Sequence, residues 1–403
     1  MSTLTYSKRR VGAFLEEIAR IRGVDFPYGH TQDALNLIEQ AVKVQKDILN
    51  KTGHPPANTP AQIQKNCSTS LQLIWHYLPF LGFILRSTDV KNAFEVYGPL
   101  LRIARGLLGP DVVLVVSSEW DFSPYVYKEI PQLPNLVMIG MPASEAGNPL
   151  LLPLAGHELG HAVWSRNNVL DAVNPALEAS ILQQMHSNWS DVSRYLKLST
   201  GTNLKDLSNL KYWSQALLWA QQQAEETFCD FLGLRIFGES FTEAHLYLLT
   251  PSVGSRSPEY PSLTSRAANM RTAAISMGIN MRPDYVQLFV DQPSALSDLP
   301  QYWCRLADNA AQSVVSQLVE SADMISTAAS IPLCSYARKQ KAFDCYRRTV
   351  PAYEIGTLSD ILNAGWDAAI DENVLRDNSK KDELLRELIL KSIEVLEIEH
   401  RTN

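Results

Sequence analysis

The chain has 403 residues, a mass of 45.1 kDa and a formal net charge of -7, enough for one extended domain or two closely packed ones. It carries no basic stripe and no basic–aromatic interleaving, so it lacks the footprint of a nucleic-acid binder. Charged residues make up only 20%, below the typical ~25%, so the chain either buries much of itself or offers an apolar face to a partner.

The first predicted element is an amphipathic helix over residues 6–22, with Val11, Phe14, Leu15, Ile18 and Ile21 at three- and four-residue spacing. A second runs from Thr31 or Gln32 to Leu49, with Leu35, Ile38, Val42 and Leu49 inward. Residues 53–60 form a Pro-rich turn. Residues 63–85 predict one or two helices, bent near Pro79. Their apolar end, Leu71 to Leu85, contains His76 and Pro79 and is shorter than the ~20 residues of a membrane span, so it reads as a buried helix. Helix resumes from Lys91 to Leu108, with Pro99 as a candidate interruption, and Gly109-Pro110 stops it.

Two strands follow. Residues 112–116 are β-branched and uncharged, and residues 136–142 make a second apolar run. They are the strongly strand-like parts of the chain and directly precede the stretch 155–164. Such strands either offer a peptide an edge to pair with or merely close the core. A mixed region spans Asn167 to Asp206, with a helix starting at Asn174-Pro175 and His186 at the surface. A long apolar helix covers Leu210 to Phe237, ended by Gly238. Beyond a Ser/Pro/Gly-rich loop from Thr250 to Ser262 come helices at 263–277 and 298–329, the latter with a possible break. A basic surface at 337–348, a motif-like run at 351–369 and a charged amphipathic helix at 380–400 complete the chain. The fold is expected to be mainly α, with a small β-sheet preceding the helix at 155–164. Its expected parts are helical regions at 1–108 and 278–403 around a core at 109–277.

The chemistry concentrates in Ala155-Gly156-His157-Glu158-Leu159-Gly160-His161, of the form H-E-x-x-H. On a helix, His157 and His161 lie on one face a turn apart, and two imidazoles so placed can bind one zinc ion. Glu158 beside them is the residue type that takes a proton from the attacking water. Apolar flanks, Leu150 to Leu154 and Ala162 to Trp164, suit a buried helix in which such polar groups need partners.

A catalytic zinc site needs a third protein ligand and one open position. The long helix supplies Glu225, Glu226, Cys229 and Asp230, acidic groups that are costly in an apolar helix unless paired or metal-bound. Glu226 and Asp230 are four apart and share a face. Glu226 can be the third ligand, and Asp230 can accept from a ligand histidine and fix its tautomer. Glu225 points ~100° away on the helical wheel, and Cys229 could in principle ligate zinc.

At these residues the chain resembles the gluzincin metallopeptidases, in which H-E-x-x-H is followed on a later helix by a glutamate and, four residues on, an aspartate. The sixty-five positions from His161 to Glu226 look most like the Ste24- and HtpX-like branch. Cys229-Asp230 stands where that branch has Ala-Asp. Tyr260 stands where relatives carry a histidine before proline, and Arg266 matches their later arginine. The resemblance covers residues 136–270. It implies a zincin-like metallopeptidase core, one Zn2+ on His157, His161 and Glu226, and Asp230 behind the ligands. Glu158 would be the general base of an endopeptidase acting on peptide or protein substrates. Tyr260 could supply a hydroxyl to the oxyanion or could be core packing, with Tyr247, His245 and Arg266 as other candidate donors; Arg266 could pair with Asp230 or Glu225. A regulatory or interaction protein with a zinc site but no turnover is the alternative.

Five cysteines without a C-x-x-C pair fit a reducing compartment, and the start of the chain has no apolar leader. A cytoplasmic protein without membrane segments is expected, with no nucleic-acid partner. The flanks are long enough to cover the cleft.

Overall fold

Two units make up the chain: Met1–Arg105 with Gly109–Gly147, and Gly106–Leu108 with Asn148–Asn403. The computed structural model describes residues 3–57, 59–89, 93–121, 123–127, 133–145, 147–197, 213–375 and 380–402. Helix dominates these residues, and a small sheet accompanies it.

The first unit begins with α1 (Thr3–Arg22), α2 (His30–Lys51) and α3 (Pro60–Arg86). Their apolar faces meet in one core, with Val11, Phe14 and Ile18 of α1, Leu35, Ile38 and Val42 of α2, and Tyr77, Phe83 and Ile84 of α3 buried. Helix α3 starts as its sequence dictates: Pro60 occupies the first turn and Thr59 Oγ1 accepts from the Gln62 amide at 3.2 Å. It then runs unbroken through Pro79, where a bend was expected. Pro79 lies on the exposed side of α3. Water can therefore serve the carbonyl that its missing N–H leaves free. None of the described helices is long and apolar enough to cross a membrane.

Helix α4 (Ala93–Leu108) also continues through its proline, Pro99. The sheet consists of β1 (Val113–Glu119), β2 (Tyr125–Val126) and β3 (Leu136–Pro142) in the order β1-β3-β2. Strands β1 and β3 are parallel, with Val113 opposite Leu136 and Val116 opposite Ile139; β2 pairs antiparallel to β3. Near-continuous burial along β1 and β3 explains why both read as apolar runs rather than alternating ones. The predicted helix starts at Lys91 and Leu210 lie outside the described residues.

The second unit holds α5 (Ala155–Arg166), α6 (Val169–Ser187), α7 (Trp189–Leu196), α8 (Ser214–Phe237), α9 (Glu239–Leu249) and α10 (Leu263–Met277). It continues with α11 (Asp298–Ser313), α12 (Val315–Ala328), α13 (Tyr336–Arg347), α14 (Leu358–Ile370) and α15 (Lys381–Thr402). Helix α8 is its axis, packed by α5, α6, α10, α11 and α12. The second half of α8, residues 226–237, is buried on every side, as an all-round apolar helix must be, whereas Ser214, Gln215 and Leu218 near its start are exposed. It ends at Gly238, whose φ of 63° and ψ of -138° suit glycine. There Asn363 of α14 accepts from the Ser240 amide and donates to the Phe237 carbonyl, closing the α8–α9 junction. The predicted helix at 298–329 is in fact two, broken at Val314.

Candidate metal centre

Helix α5 enters from a buried 3-10 turn, Pro149–Leu154, whose start is held by Asn148 Oδ1 accepting from the Leu150 amide. The Trp366 indole on α14 donates to the Leu150 carbonyl at 2.9 Å, fixing the approach. At the far end Asn167 donates to the Val163 carbonyl, and Asn168 at a φ of 50° turns the chain into α6.

Helices α5 and α8 cross backbone to backbone. A Cβ on Gly160 would sit 2.8 Å from the Cys229 Cα, and one on Gly156 would sit 3.0 Å from the Gly233 Cα. Gly156 and Gly160 share one face of α5, and Cys229 and Gly233 share the facing stripe of α8. This small-residue seam brings the polar side chains of both helices within hydrogen-bond reach.

His157 Nδ1–H donates to Asp230 Oδ1 at 2.9 Å, and His161 Nδ1–H donates to Glu225 Oε1 at 2.7 Å. A carboxylate accepts only, so each bond sets the tautomer and leaves Nε2 facing outward from its partner. Both Nε2 atoms look toward Glu226, at 3.2 Å from His157 and 3.7 Å from His161. Asp230 in turn accepts from Arg266, Oδ2 from Nε at 2.8 Å and Oδ1 from Nη2 at 2.7 Å. Behind it lies His245, buried, with Nε2 3.7 Å from Asp230 Oδ1 and Nδ1 3.0 Å from the Tyr285 hydroxyl.

Charge follows this geometry. Burial opposes ionisation of Asp230, but Arg266, His245 and His157 outweigh it and hold the carboxyl well below its usual range. Burial also works against the His157 imidazolium, yet hydrogen bonds to Asp230 and Glu226 push that ring up to about 10. Burial also opposes ionisation of Glu226, but the His157 bond together with the charges of His157, His161 and Arg266 holds it below its usual value. Burial pushes Glu158 up, and the nearby histidines only partly offset it. Four carboxylates (Glu158, Glu225, Glu226 and Asp230) therefore gather around two imidazoles and the permanent cation Arg266. Such an acidic, largely buried cluster suits a divalent cation between the Nε2 atoms and a carboxylate.

Cys229 also adjoins the pair. One ligand atom from each of His157, His161 and Cys229 can be chosen so that all lie within 4.8 Å of one another, and this trio is a group capable of coordinating a metal ion. Cys229 is fully enclosed in the helix crossing, and burial pushes its thiol well above the ordinary value. The side chains of His157, His161 and Glu226 keep 13, 9 and 10% of their surface exposed.

Among the other predicted residues, Tyr260 lies in the loop between α9 and α10 and is 43% exposed. Its phenol is pushed up to about 12, first by the Glu226 carboxylate and then by burial. Arg266 is buried with two of its guanidinium nitrogens on Asp230. His245 is buried behind Asp230, and Tyr247 is half exposed on α9. Sequence reasoning did not foresee Glu225 as the His161 partner. The signal was the small stripe Gly156, Gly160, Cys229 and Gly233: a crossing this close lets adjacent α8 residues reach different rings of α5.

No family model, curated protein or solved structure matches this chain. The gluzincin resemblance is corrected by the ligand set itself. The metal-capable trio of the described residues is His157, His161 and Cys229, which is not the two-histidine, one-glutamate set of that family. The physical reason is that the resemblance rested on a few polar positions on two helices. Two crossing helices can gather such residues at i, i+4 spacing without sharing the fold of that family.

Proposed function

We propose that the second unit is a zinc-dependent peptide hydrolase, its single Zn2+ held across two crossing helices by His157, His161 and Glu226. The observation that carries this reading is the convergence of both imidazole Nε2 atoms on the Glu226 carboxylate, with each Nδ1 already committed to another carboxylate. Zinc in such a place polarises the scissile carbonyl and lowers the pKa of the attacking water.

The protein's own groups do the rest. Asp230 and Glu225 fix the rings of His157 and His161, and Asp230 raises the basicity of His157. Glu158 takes the proton of the attacking water and returns it to the leaving amine. Its raised proton affinity, caused by burial, moves it toward the working pH of a general base. Tyr260, open to solvent and with its phenol raised first by the Glu226 charge, donates to the oxyanion. Arg266 acts through Asp230, since its guanidinium is spent there. The substrate is a peptide or protein segment.

A second reading follows from the closeness of Cys229: a His-His-Cys site that holds a metal for structure or regulation without turnover. Peptide-library cleavage separates the two. Wild-type protein should cleave, a chelator should stop it, and Glu158→Gln should retain the metal while losing turnover. Metal-bound wild-type protein without cleavage, or a Glu158→Gln variant as fast as wild type, overturns the hydrolase.

A further inference from the structure

The loop that carries Tyr260 is not simply draped over the surface. Asp308 on α11 accepts twice from Arg256, Oδ2 from Nη1 at 2.9 Å and Oδ1 from Nη2 at 2.5 Å. The other edge of the same guanidinium holds the Tyr260 carbonyl, from Nε at 3.3 Å and from Nη2 at 3.0 Å. Asp308 Oδ1 also accepts from Gln223 Nε2 at 2.8 Å, and that amide donates again to the Pro258 carbonyl at 2.9 Å. Two carbonyls of the loop, two residues apart, are thus tied to one carboxylate.

Gln223 makes this more than a loop anchor. It is 1% exposed, and it stands three residues before Glu226, so the two are surface neighbours on α8. The tie therefore ends within a helical turn of the metal centre. On the other side of Tyr260, Ser262 Oγ accepts from the Ser265 amide and starts α10, which carries Arg266 to Asp230. The short run from Tyr260 to Arg266 is fixed at both ends, to α8 and α11 at one and to Asp230 at the other. A planar, two-edged arginine suits this task, because a lysine could not hold a carboxylate and a carbonyl along separate edges.

We infer that Asp308 is a positioning residue: through Arg256 and Gln223 it sets the loop that presents Tyr260 at the edge of the metal centre. The catalytic half of this inference rests on the proposed hydrolase reading; the pinning of the loop does not.

The test uses the full chain with zinc bound. Asp308→Asn is the main variant, with Arg256→Lys and Gln223→Leu in case it does not fold. Hydrogen exchange is read at the Arg256 and Tyr260 amides, which donate to the Pro293 and Ser257 carbonyls. Exchange there should accelerate at least tenfold in each variant, while α8 around Glu226 and the zinc content stay as in wild type. With a peptide substrate, Tyr260→Phe should lower kcat by about 10²-fold, as loss of one oxyanion donor does. Asp308→Asn should lower kcat by a similar factor, and the double variant should match the worse single one rather than the product. Unchanged loop exchange overturns the inference, as do multiplicative losses in the double variant. Wild-type protein with no turnover sinks the hydrolase reading and the catalytic half of the inference, while the exchange result still decides whether Asp308 pins the loop.

Discussion

Gly160→Ala tests the seam on which the whole centre depends. The added Cβ would meet the Cys229 Cα at 2.8 Å and its Cβ and Sγ at 2.9 Å each. Carbon atoms prefer about 3.5–4.0 Å, so α5 and α8 must part by nearly 1 Å. An alanine in a helix interior normally gains about 1 kcal/mol over glycine. Overpacking of a tight core costs about 1–3 kcal/mol, and here the obstacle includes backbone that cannot swing away. The cost exceeds the gain where the obstacle is backbone, and metal-free protein should lose up to about 2 kcal/mol. The larger effect is on the metal. His161 follows Gly160 directly, so its Nε2 shifts relative to Glu226, and a site needs its ligands within roughly 0.5 Å. Zinc affinity should fall at least tenfold in chelator competition. Gly12→Ala on α1 is the control, because a Cβ there meets nothing within 4 Å. It should gain about 0.4–1 kcal/mol and leave zinc binding alone. Were Gly160→Ala to gain stability like the control, with zinc affinity unchanged, the close crossing would not exist as described.

Other outcomes follow from the same geometry. Asp230→Asn leaves the buried Arg266 without its charge partner, so urea unfolding of metal-free protein should show a loss of about 3 kcal/mol. Its zinc affinity should fall ~10–100-fold, the range seen when the partner of a metal-binding histidine is altered. His245 is kept neutral by burial, its pKa brought down to about 3. The unfolded chain protonates this ring near pH ~6.5, so the stabilising contribution is full above that pH. It is lost as pH falls, at about 1.4 kcal/mol per unit down to the folded value. His245→Gln should flatten the slope of unfolding free energy between pH 6 and roughly 4, measured by denaturant titration at each pH; an unchanged slope would refute the assignment. Glu158→Gln should keep zinc at the wild-type level while kcat on a cleaved peptide drops by at least ~10²-fold.

Much of this centre was readable from residue order, for reasons that are local. Four-residue spacing puts His157 and His161 on one face, and the carboxylates of Glu226 and Asp230 stand out because an apolar helix has no other use for them. What stayed hidden depends on contacts across the chain. Glu225 reaches His161 only because α5 and α8 nearly touch at Gly160, a distance that no helical wheel contains. Arg256 and Asp308 are fifty-two positions apart, and neither carries a local pattern. Helix α9 went unread because its eleven residues, Glu239–Leu249, mix serine, threonine and aromatics without a clean apolar stripe. The break at Val314 was foreseen only as a possibility. The family resemblance failed on the opposite ground: it leaned on a few polar positions of two helices, and the trio that can coordinate a metal has Cys229 in place of the family's glutamate.

The most direct test is zinc content by metal analysis after purification in the presence of Zn2+, compared between Glu226→Gln and Cys229→Ala. Stoichiometric zinc in wild type and in Cys229→Ala, with most of it lost in Glu226→Gln, His157→Ala and His161→Ala, is the result expected of a centre built on two histidines and Glu226. Zinc retained in Glu226→Gln and lost in Cys229→Ala would contradict it and place the metal on the cysteine side of the helix crossing.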